Sequence, residues 1–370
     1  MDPLQLDLDA CRLRQQRLIQ VLQDHGLEQA VITTSTTIHW LTGGYFGTVA
    51  TPAAMLRADG HLTLVAPARE GKPLPDGLAA DEVIPYFWKL HSTMRDDQRA
   101  ASSRALIAAV AANAEAAGVE FSTFPQHLRD HLSGPLTDLD TVIFSLRRRK
   151  DADEMRLLRR AIEINDAMYT HAREALHAGT NELELYGRMQ AVATRELGEP
   201  LTYFGQDFQC NSRGGPPRNR QAQCGELYIF DLGVGVRGYY SDNARTFAVG
   251  RDPSDAQLQA WGRIVQVLEM VEERVRPGVS AKAVFEEAQQ MLDDAQPFVF
   301  DHHLGHGVGL APHEGPHLNP NWDDTFAVGD FFTAEPGLYH EDLRTGIRLE
   351  QNYLVTDDGV ERLTHFPLDL

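Results

Sequence analysis

Residues 226–249 read E-L-Y-I-F-D-L-G-V-G-V-R-G-Y-Y-S-D-N-A-R-T-F-A-V, a pattern that predicts a long β-hairpin turning at R-G. Asp231 follows three apolar or aromatic residues, and Asp242 lies eleven residues further along, beyond the turn. An antiparallel hairpin of this length can bring the two carboxylates opposite each other on one face. The hairpin therefore predicts a pair of acidic side chains in surroundings that favour burial.

Two further acidic residues and a histidine occupy similar positions. Glu335 stands in F-F-T-A-E-P-G, Glu350 in G-I-R-L-E-Q-N, and His306 in L-G-H-G-V-G-L, where glycines allow close backbone packing. Each residue alone has an ordinary structural explanation, as a strand-end cap, a turn residue or a loop histidine. Four carboxylates buried together would need a cation to compensate their charge, so coincidence is the poorer explanation.

Charge is distributed unevenly along the 370 residues. The chain has 34 basic and 53 acidic side chains, a net charge of −19, and residues 1–150 contain only 17 of the acids but 15 of the bases. Five of the 15 histidines fall between His302 and His317. A negative field argues against nucleic-acid or membrane-surface partners, and no apolar run approaches the ~20 residues of a membrane helix.

The three cysteines, Cys11, Cys210 and Cys224, form neither a disulfide framework nor a paired zinc motif. The acidic start of the chain lacks the basic-then-apolar order of a signal peptide. Both observations predict a reduced, cytoplasmic protein.

The pattern of elements predicts two domains, residues 1–150 and residues 151–370. The first alternates helix and strand, as an α/β domain does, with helices at 8–25, 35–40 and 97–117, a strand at 28–34 and a hairpin at 53–67. The second is predicted to have helices at 152–177, 181–196, 254–275 and 280–293, with antiparallel strands around them. Two of the predicted strand runs, 330–340 and 345–356, contain Glu335 and Glu350. This order favours an α+β catalytic domain over a parallel doubly wound sheet.

The motif series D-L-G…S-D…R-T-F, G-H-G-V-G-L-x-x-H-E, E-P-G-L-Y and G-I-R-L-E resembles that of the prolidase/aminopeptidase P/creatinase family, the pita-bread metallopeptidases. The resemblance is detailed over 151–370 and looser over the first 150 residues, which look like the family's extra N-terminal domain. It implies a pita-bread catalytic domain preceded by a smaller creatinase-like α/β domain, and a homodimer.

The resemblance also implies a ligand set for two divalent metal ions: Asp231, Asp242, His306, Glu335 and Glu350. In the family the second aspartate and the last glutamate bridge the ions, and the glutamate of E-P-G is the proposed proton carrier. One imidazole and four carboxylates are hard donors, which suit Mn²⁺, or else Co²⁺ or Zn²⁺.

Three further residues receive roles from the resemblance. His302 and His313 are predicted to contact the substrate amide or the oxyanion. Arg348 is predicted to orient carboxylates or to bind a substrate carboxyl group, and a structural pairing with Glu350 is the alternative. His303 and His317 are interpreted as neighbours without a role.

Two departures from the family pattern bear on the substrate. The stretch N-S-R-G-G-P-P-R-N-R places Gly214 where the family has a histidine, which predicts a gap beside the metals, unless Arg213 or a shifted alignment compensates. Ala244 stands where a threonine is common. Both leave the predicted ligands intact.

The leading interpretation is a two-metal hydrolase of small peptides, an Xaa-Pro dipeptidase or aminopeptidase with modest activity. The alternatives are a relative that acts on another small molecule, as a lyase or an amidohydrolase, and a non-catalytic binding module. The resemblance disfavours a creatinase-like or a non-catalytic protein, because such relatives have lost ligands that this chain keeps.

Overall fold

The computed structural model describes residues 2–69, 71, 73–74, 76–87, 97–110 and 116–370. The chain divides into two units, Met1–Leu146 and Arg147–Leu370. Among the described residues, no helix is both long enough and apolar enough to cross a membrane.

The first unit is a mixed sheet with helices, as its alternating pattern predicts. Its described helices are α1 (Leu8–Asp24), α2 (Ser35–Thr42) and α3 (Asp97–Val110), and its described strands are β1 (Gln29–Ile32), β2 (Ala53–Arg57), β3 (Leu62–Ala68), β4 (Glu82–Phe87), β5 (Ala117–Val119) and β6 (Leu136–Asp138). The strand order is β4-β3-β2-β1-β5-β6, and the predicted hairpin is confirmed as the antiparallel pair β2–β3. Residues 111–115 of the predicted alanine-rich helix lie outside the described residues.

Helix α4 (Asp140–Arg148) contains the boundary, and four longer helices follow it. They are α5 (Ala152–Ala175), α6 (Glu182–Leu197), α7 (Asp255–Arg274) and α8 (Ala281–Asp293), each within two residues of its predicted bounds. Polar caps explain where they begin. Asn181 and Ser280 accept hydrogen bonds from backbone N–H groups of the first turn, and Ser254 forms a capping box with Gln257.

Antiparallel strands make up the rest of the second unit, which confirms the α+β prediction. One sheet contains β7 (Tyr203–Cys210), β8 (Leu227–Val236), β9 (Tyr239–Tyr240) and β10 (Asn243–Ala248). A second contains β11 (Gly305–Gly307), β12 (Glu314–Leu318), β13 (Phe331–Ala334), β16 (Gln351–Val355) and β17 (Val360–Arg362), and a third pairs β14 (Gly337–His340) with β15 (Thr345–Arg348).

The strand runs predicted around Glu335 and Glu350 are each interrupted at the acid. β13 ends before Glu335-Pro336, where proline has no N–H for a ladder hydrogen bond, and β15 ends two residues before Glu350. Because Glu335 and Glu350 lie outside the regular strands, their side chains need not follow the alternation of faces along a strand.

A continuous apolar core supports this part of the unit. Side chains of α7 and α8 pack in one cluster with strand residues, including Val267, Leu292, Phe332, Ile347 and Tyr353, all at most 2% exposed. Close packing of this kind gives the neighbouring acidic residues a rigid support.

Candidate metal centre

The hairpin that carries both aspartates forms as predicted, but its register does not place the two aspartates directly opposite each other. β8 and β10 pair antiparallel with Asp231 opposite Ala244, and Asp242 directly precedes β10. The Asp242 carbonyl accepts a hydrogen bond from the Asn352 side chain, which ties the hairpin to β16. The two aspartates therefore lie in one unit and on one hairpin.

Main-chain contacts hold Glu350 against the same hairpin. Its N–H donates to the Ala244 carbonyl at 3.0 Å, and its carbonyl accepts from the buried guanidinium of Arg245 at 2.6 Å. The residue is 1% exposed, and neither side-chain oxygen has a hydrogen-bond partner among the described residues. A buried carboxylate with two unsatisfied oxygens is costly, so the site fits a cation that would satisfy them.

The five predicted ligands converge. Oxygens of Asp231, Glu335 and Glu350 lie within 4.8 Å of one another. His306 Nε2 lies 3.4 Å from Glu335 Oε1 and 3.8 Å from Asp242 Oδ2. This cluster of carboxylates and imidazole is compatible with a metal site.

The hydrogen bonding of His306 prepares its ring for coordination. Its Nδ1 lies 3.0 Å from the Gly307 carbonyl, which can only accept, so Nδ1 carries the proton. Nε2 therefore turns its lone pair toward the carboxylates, the arrangement usual for metal-binding histidines. Burial lowers the pKa of His306 to about 4 and keeps the ring neutral.

Burial raises the pKa of three of the four carboxyls. It brings the pKa of Asp231 to about 6, even though the Arg348 charge opposes the rise. Burial, followed by repulsion from neighbouring carboxylates, raises the pKa of Asp242 and of Glu350. Glu335 differs, because a 2.9 Å hydrogen bond from His303 and nearby positive charge outweigh its burial and lower its pKa to about 2. With all four carboxyls ionised, the group would carry more negative charge than the described side chains around it compensate.

His302 and His313 stand in different surroundings. His302 Nδ1 lies 2.7 Å from the His303 carbonyl, which can only accept, so Nδ1 carries the ring's proton. The unprotonated Nε2 lies 3.0 Å from the Tyr339 hydroxyl and accepts a hydrogen bond from it. His313 is exposed and stacks on the His306 ring at 3.8 Å between centroids. A nitrogen of His313 lies within 4.8 Å of donor atoms of Asp242 and His306. Only His313 is thus placed to donate toward the centre without breaking a hydrogen bond that the structure contains.

The interpretation of His303 as a neighbour without a role is wrong, because its Nε2 binds Glu335. Its position three residues before His306 is a signal that sequence reasoning could have used. His317 does lie apart, contacting Asp324 at 2.9 Å and the ring of Trp322.

Arg348 is buried, and its ion-pair partners do not include Glu350. Its Nη2 contacts Asp207 and lies 3.0 Å from Asp231 Oδ2, and the residue is 9% exposed. Burial opposes its charge, yet the surrounding carboxylates, Asp231 first, raise its pKa well above the usual range. Sequence reasoning missed Asp207, because the strand that carries it was not predicted.

The predicted gap at Gly214 is wrong. Gly214 has φ +146°, and a Cβ built there would overlap the Asp207 carboxylate and approach Arg348. Asp207 is fixed in this place by the Gly215 N–H, which donates to Oδ1 at 2.6 Å. The space that a histidine side chain would need is therefore filled by an ion pair.

Restoring the family side chain, Gly214→His, should consequently fail to raise activity. The backbone conformation and the overlap with Asp207 should instead lower the free energy of unfolding by about 1–3 kcal/mol. Chemical denaturation of the metal-free protein measures this, with Gly262→Ala as the control because a Cβ at Gly262 has open space. A stable and more active Gly214→His variant would contradict the assignment of the space to Asp207.

Comparison with known proteins identifies the family. Residues 156–357 match the model of metallopeptidase family M24, and residues 14–148 match that of the creatinase/prolidase N-terminal domain. The chain belongs to metallopeptidase family M24.

Individual relatives are more distant. An uncharacterized peptidase of Staphylococcus aureus strain USA300 is 29% identical over 62% of this chain, and an Xaa-Pro dipeptidase of Pyrococcus furiosus is 29% identical over 61%. Each alignment covers 66% of the relative, just under two thirds of its length. The prolidase structure from Pyrococcus horikoshii OT3 superposes with a TM-score of 0.79 at 21% identity, over 96% of this chain and 99% of the other, which confirms the two-domain pita-bread fold.

Proposed function

We propose that this protein is a metal-dependent peptidase that cleaves peptides at Xaa-Pro bonds, as a dipeptidase or an aminopeptidase. The observation that carries the proposal is the convergence of four carboxylates and one imidazole, with both oxygens of Glu350 unsatisfied. Family membership and the named function of the Pyrococcus furiosus relative support it. The creatinase-like and non-catalytic alternatives have less support, because the resemblance associates them with the loss of ligands that this chain keeps.

The residues that would hold two divalent ions are Asp231, Asp242, His306, Glu335 and Glu350. The hard donor set favours Mn²⁺, with Co²⁺ and Zn²⁺ as alternatives. Bound ions would polarise the scissile carbonyl and make a water molecule nucleophilic at neutral pH.

The protein's own side chains supply the proton transfers. Glu335 is proposed to accept the proton that the attacking water loses, the role that the resemblance gives it. It can then give this proton to the proline nitrogen, which leaves as an amine when the C–N bond breaks. His313 is placed to donate a hydrogen bond to the oxygen on which negative charge develops. The peptide bond before a proline has no N–H, so the site needs no hydrogen-bond acceptor at the scissile nitrogen.

The small-molecule partner is therefore proposed to be a peptide with proline in second position. A homodimer and a cytoplasmic location stay predictions.

Metal analysis followed by a peptide assay tests the proposal. The metal-free protein should take up two Mn²⁺ per chain and then cleave alanyl-proline or alanyl-prolyl-alanine at a modest rate, with activity lost on chelation and regained with Mn²⁺. Alanyl-alanine and alanyl-alanyl-alanine are the matched controls and should be cleaved more slowly. Protein that carries both ions and cleaves no Xaa-Pro peptide would contradict the proposal and favour another small-molecule substrate.

A further inference from the structure

Arg348 lies between two carboxylates that face each other across a strand pair. Asp207 in β7 is directly opposite Asp231 in β8, which places the two side chains on the same face of the sheet. Like charges in this position repel unless a cation stands between them. Arg348 Nη2 contacts both, so its charge is shared by Asp207 and by a proposed metal ligand.

Asp207 is held in place and still reaches the site. Its Oδ1 accepts from the Gly215 N–H, and the missing side chain of Gly214 leaves room for its Oδ2. The Asp207 side chain keeps 24% of its surface exposed, against 11% for that of Arg348. A molecule approaching this pair meets the carboxylate more readily than the guanidinium.

A second arginine near this place is also engaged. Arg213, beside Gly214 in sequence, forms an ion pair with Asp301, and its guanidinium lies 4.2 Å from the centre of the Tyr339 ring. Arg213 and Arg348 thus each have a carboxylate partner.

The position of a dipeptide's carboxylate follows from its covalent structure. In an Xaa-Pro dipeptide the free carboxylate is two bonds from the scissile nitrogen, so it must lie within a few ångströms of the reacting centre. Arg348 contacts Asp231, a proposed ligand of that centre, and is the natural partner for such a carboxylate. Asp207 cancels this attraction and adds its own repulsion.

We propose that Asp207 is a specificity-determining residue that withholds Arg348 from substrate carboxylates. It selects peptides in which the proline carboxyl is part of an amide, namely Xaa-Pro amides and Xaa-Pro peptides of three or more residues, over Xaa-Pro dipeptides. The inference rests on the proposed function and makes it an aminopeptidase rather than a dipeptidase.

Kinetics of the Mn²⁺-loaded full-length protein test the selection. Wild type should cleave alanyl-prolinamide and alanyl-prolyl-alanine with kcat/KM about tenfold above alanyl-proline. Asp207→Asn should raise kcat/KM for alanyl-proline about tenfold, mainly through KM, without a matching gain for the amide.

Asp207→Ala is the second variant in case the asparagine disturbs Arg348. Glu287→Gln, which removes a carboxylate paired with Arg274 on the surface, should leave the ratio unchanged. A wild type that prefers the dipeptide, or Asp207 variants with an unchanged ratio, would overturn the inference.

A binding measurement separates this inference from the peptidase proposal. Isothermal titration of the metal-loaded protein should show tighter binding of prolinamide than of proline, and Asp207→Asn should reduce or reverse that difference. If no Xaa-Pro peptide is cleaved, the proposed function fails, while the ratio of these two affinities still decides the role of Asp207. An equal ratio of prolinamide affinity to proline affinity in wild type and in both Asp207 variants would overturn the proposed role of Asp207.

Discussion

Replacing Asp242 or Glu350 with alanine should remove both divalent ions and lower kcat/KM by about 10³-fold or more, which corresponds to at least ~4 kcal/mol of transition-state stabilisation. The family resemblance implies that both ions would share these two carboxylates, so each loss should weaken both sites together. The two buried side-chain oxygens of Glu350 have no hydrogen-bond partner among the described residues and would be available to the ions. Metal content after gel filtration, together with titration calorimetry of Mn²⁺, measures the effect.

Folding must be shown to survive in these variants. In the metal-free protein the carboxylates repel one another and are buried without full compensation, so Asp242→Ala should be at least as resistant to denaturant as metal-free wild type. Asp357→Ala removes an exposed acid of the same unit and should bind two ions normally. An Asp242→Ala protein that still binds two Mn²⁺ with affinity near wild type would contradict the bridging role.

Local sequence was enough to predict the hairpin and the helices. Asp231 and Asp242 are joined by a short connection between two strands, so hairpin pairing alone brings them together. Helices α6, α7 and α8 each bury one apolar face and begin at a polar cap, and both features depend on residues a few positions apart. His306, Glu335 and Glu350 lie on separate segments, and their place in the site followed from the resemblance, not from spacing.

The structure was needed wherever a side chain depends on a distant strand. Asp207 faces Asp231 only because β7 pairs with β8, and the sequence around Asp207 gave no strand prediction. For the same reason Gly214 was interpreted as a gap, although a carboxylate from β7 fills the space. His302 and His313 also looked equivalent, because nothing near them in sequence shows that Tyr339 binds one of them.

The hydrogen bonds of His302 set its role apart from that of His313. Its Nδ1 donates to a carbonyl and its Nε2 accepts from Tyr339, while burial lowers its pKa and keeps the ring neutral. A neutral ring in this tautomer has no proton left for an oxyanion. His302 is therefore a positioning residue. His302→Ala should lower the free energy of unfolding by about 1–3 kcal/mol, because the Tyr339 hydroxyl loses its partner, and should affect kcat less.

His313→Ala, in contrast, should lower kcat about 10²- to 10³-fold with little change in KM or metal content, the effect of losing one donor to the developing oxyanion. The side chain is exposed, so its removal should cost little stability, and it stacks on His306 beside the proposed ions. Partial desolvation of the ring, where it packs against the neighbouring histidines, lowers the pKa of His313 although much of the side chain is exposed, which leaves a neutral ring with one N–H to donate. Steady-state kinetics with alanyl-prolyl-alanine and metal analysis measure the outcome, with His317→Ala as the matched control because His317 contacts Asp324 and Trp322 away from the cluster. If His302→Ala loses more kcat than His313→Ala while both variants keep two ions, the hydrogen-bond assignment at His302 is wrong and that ring supplies the donor.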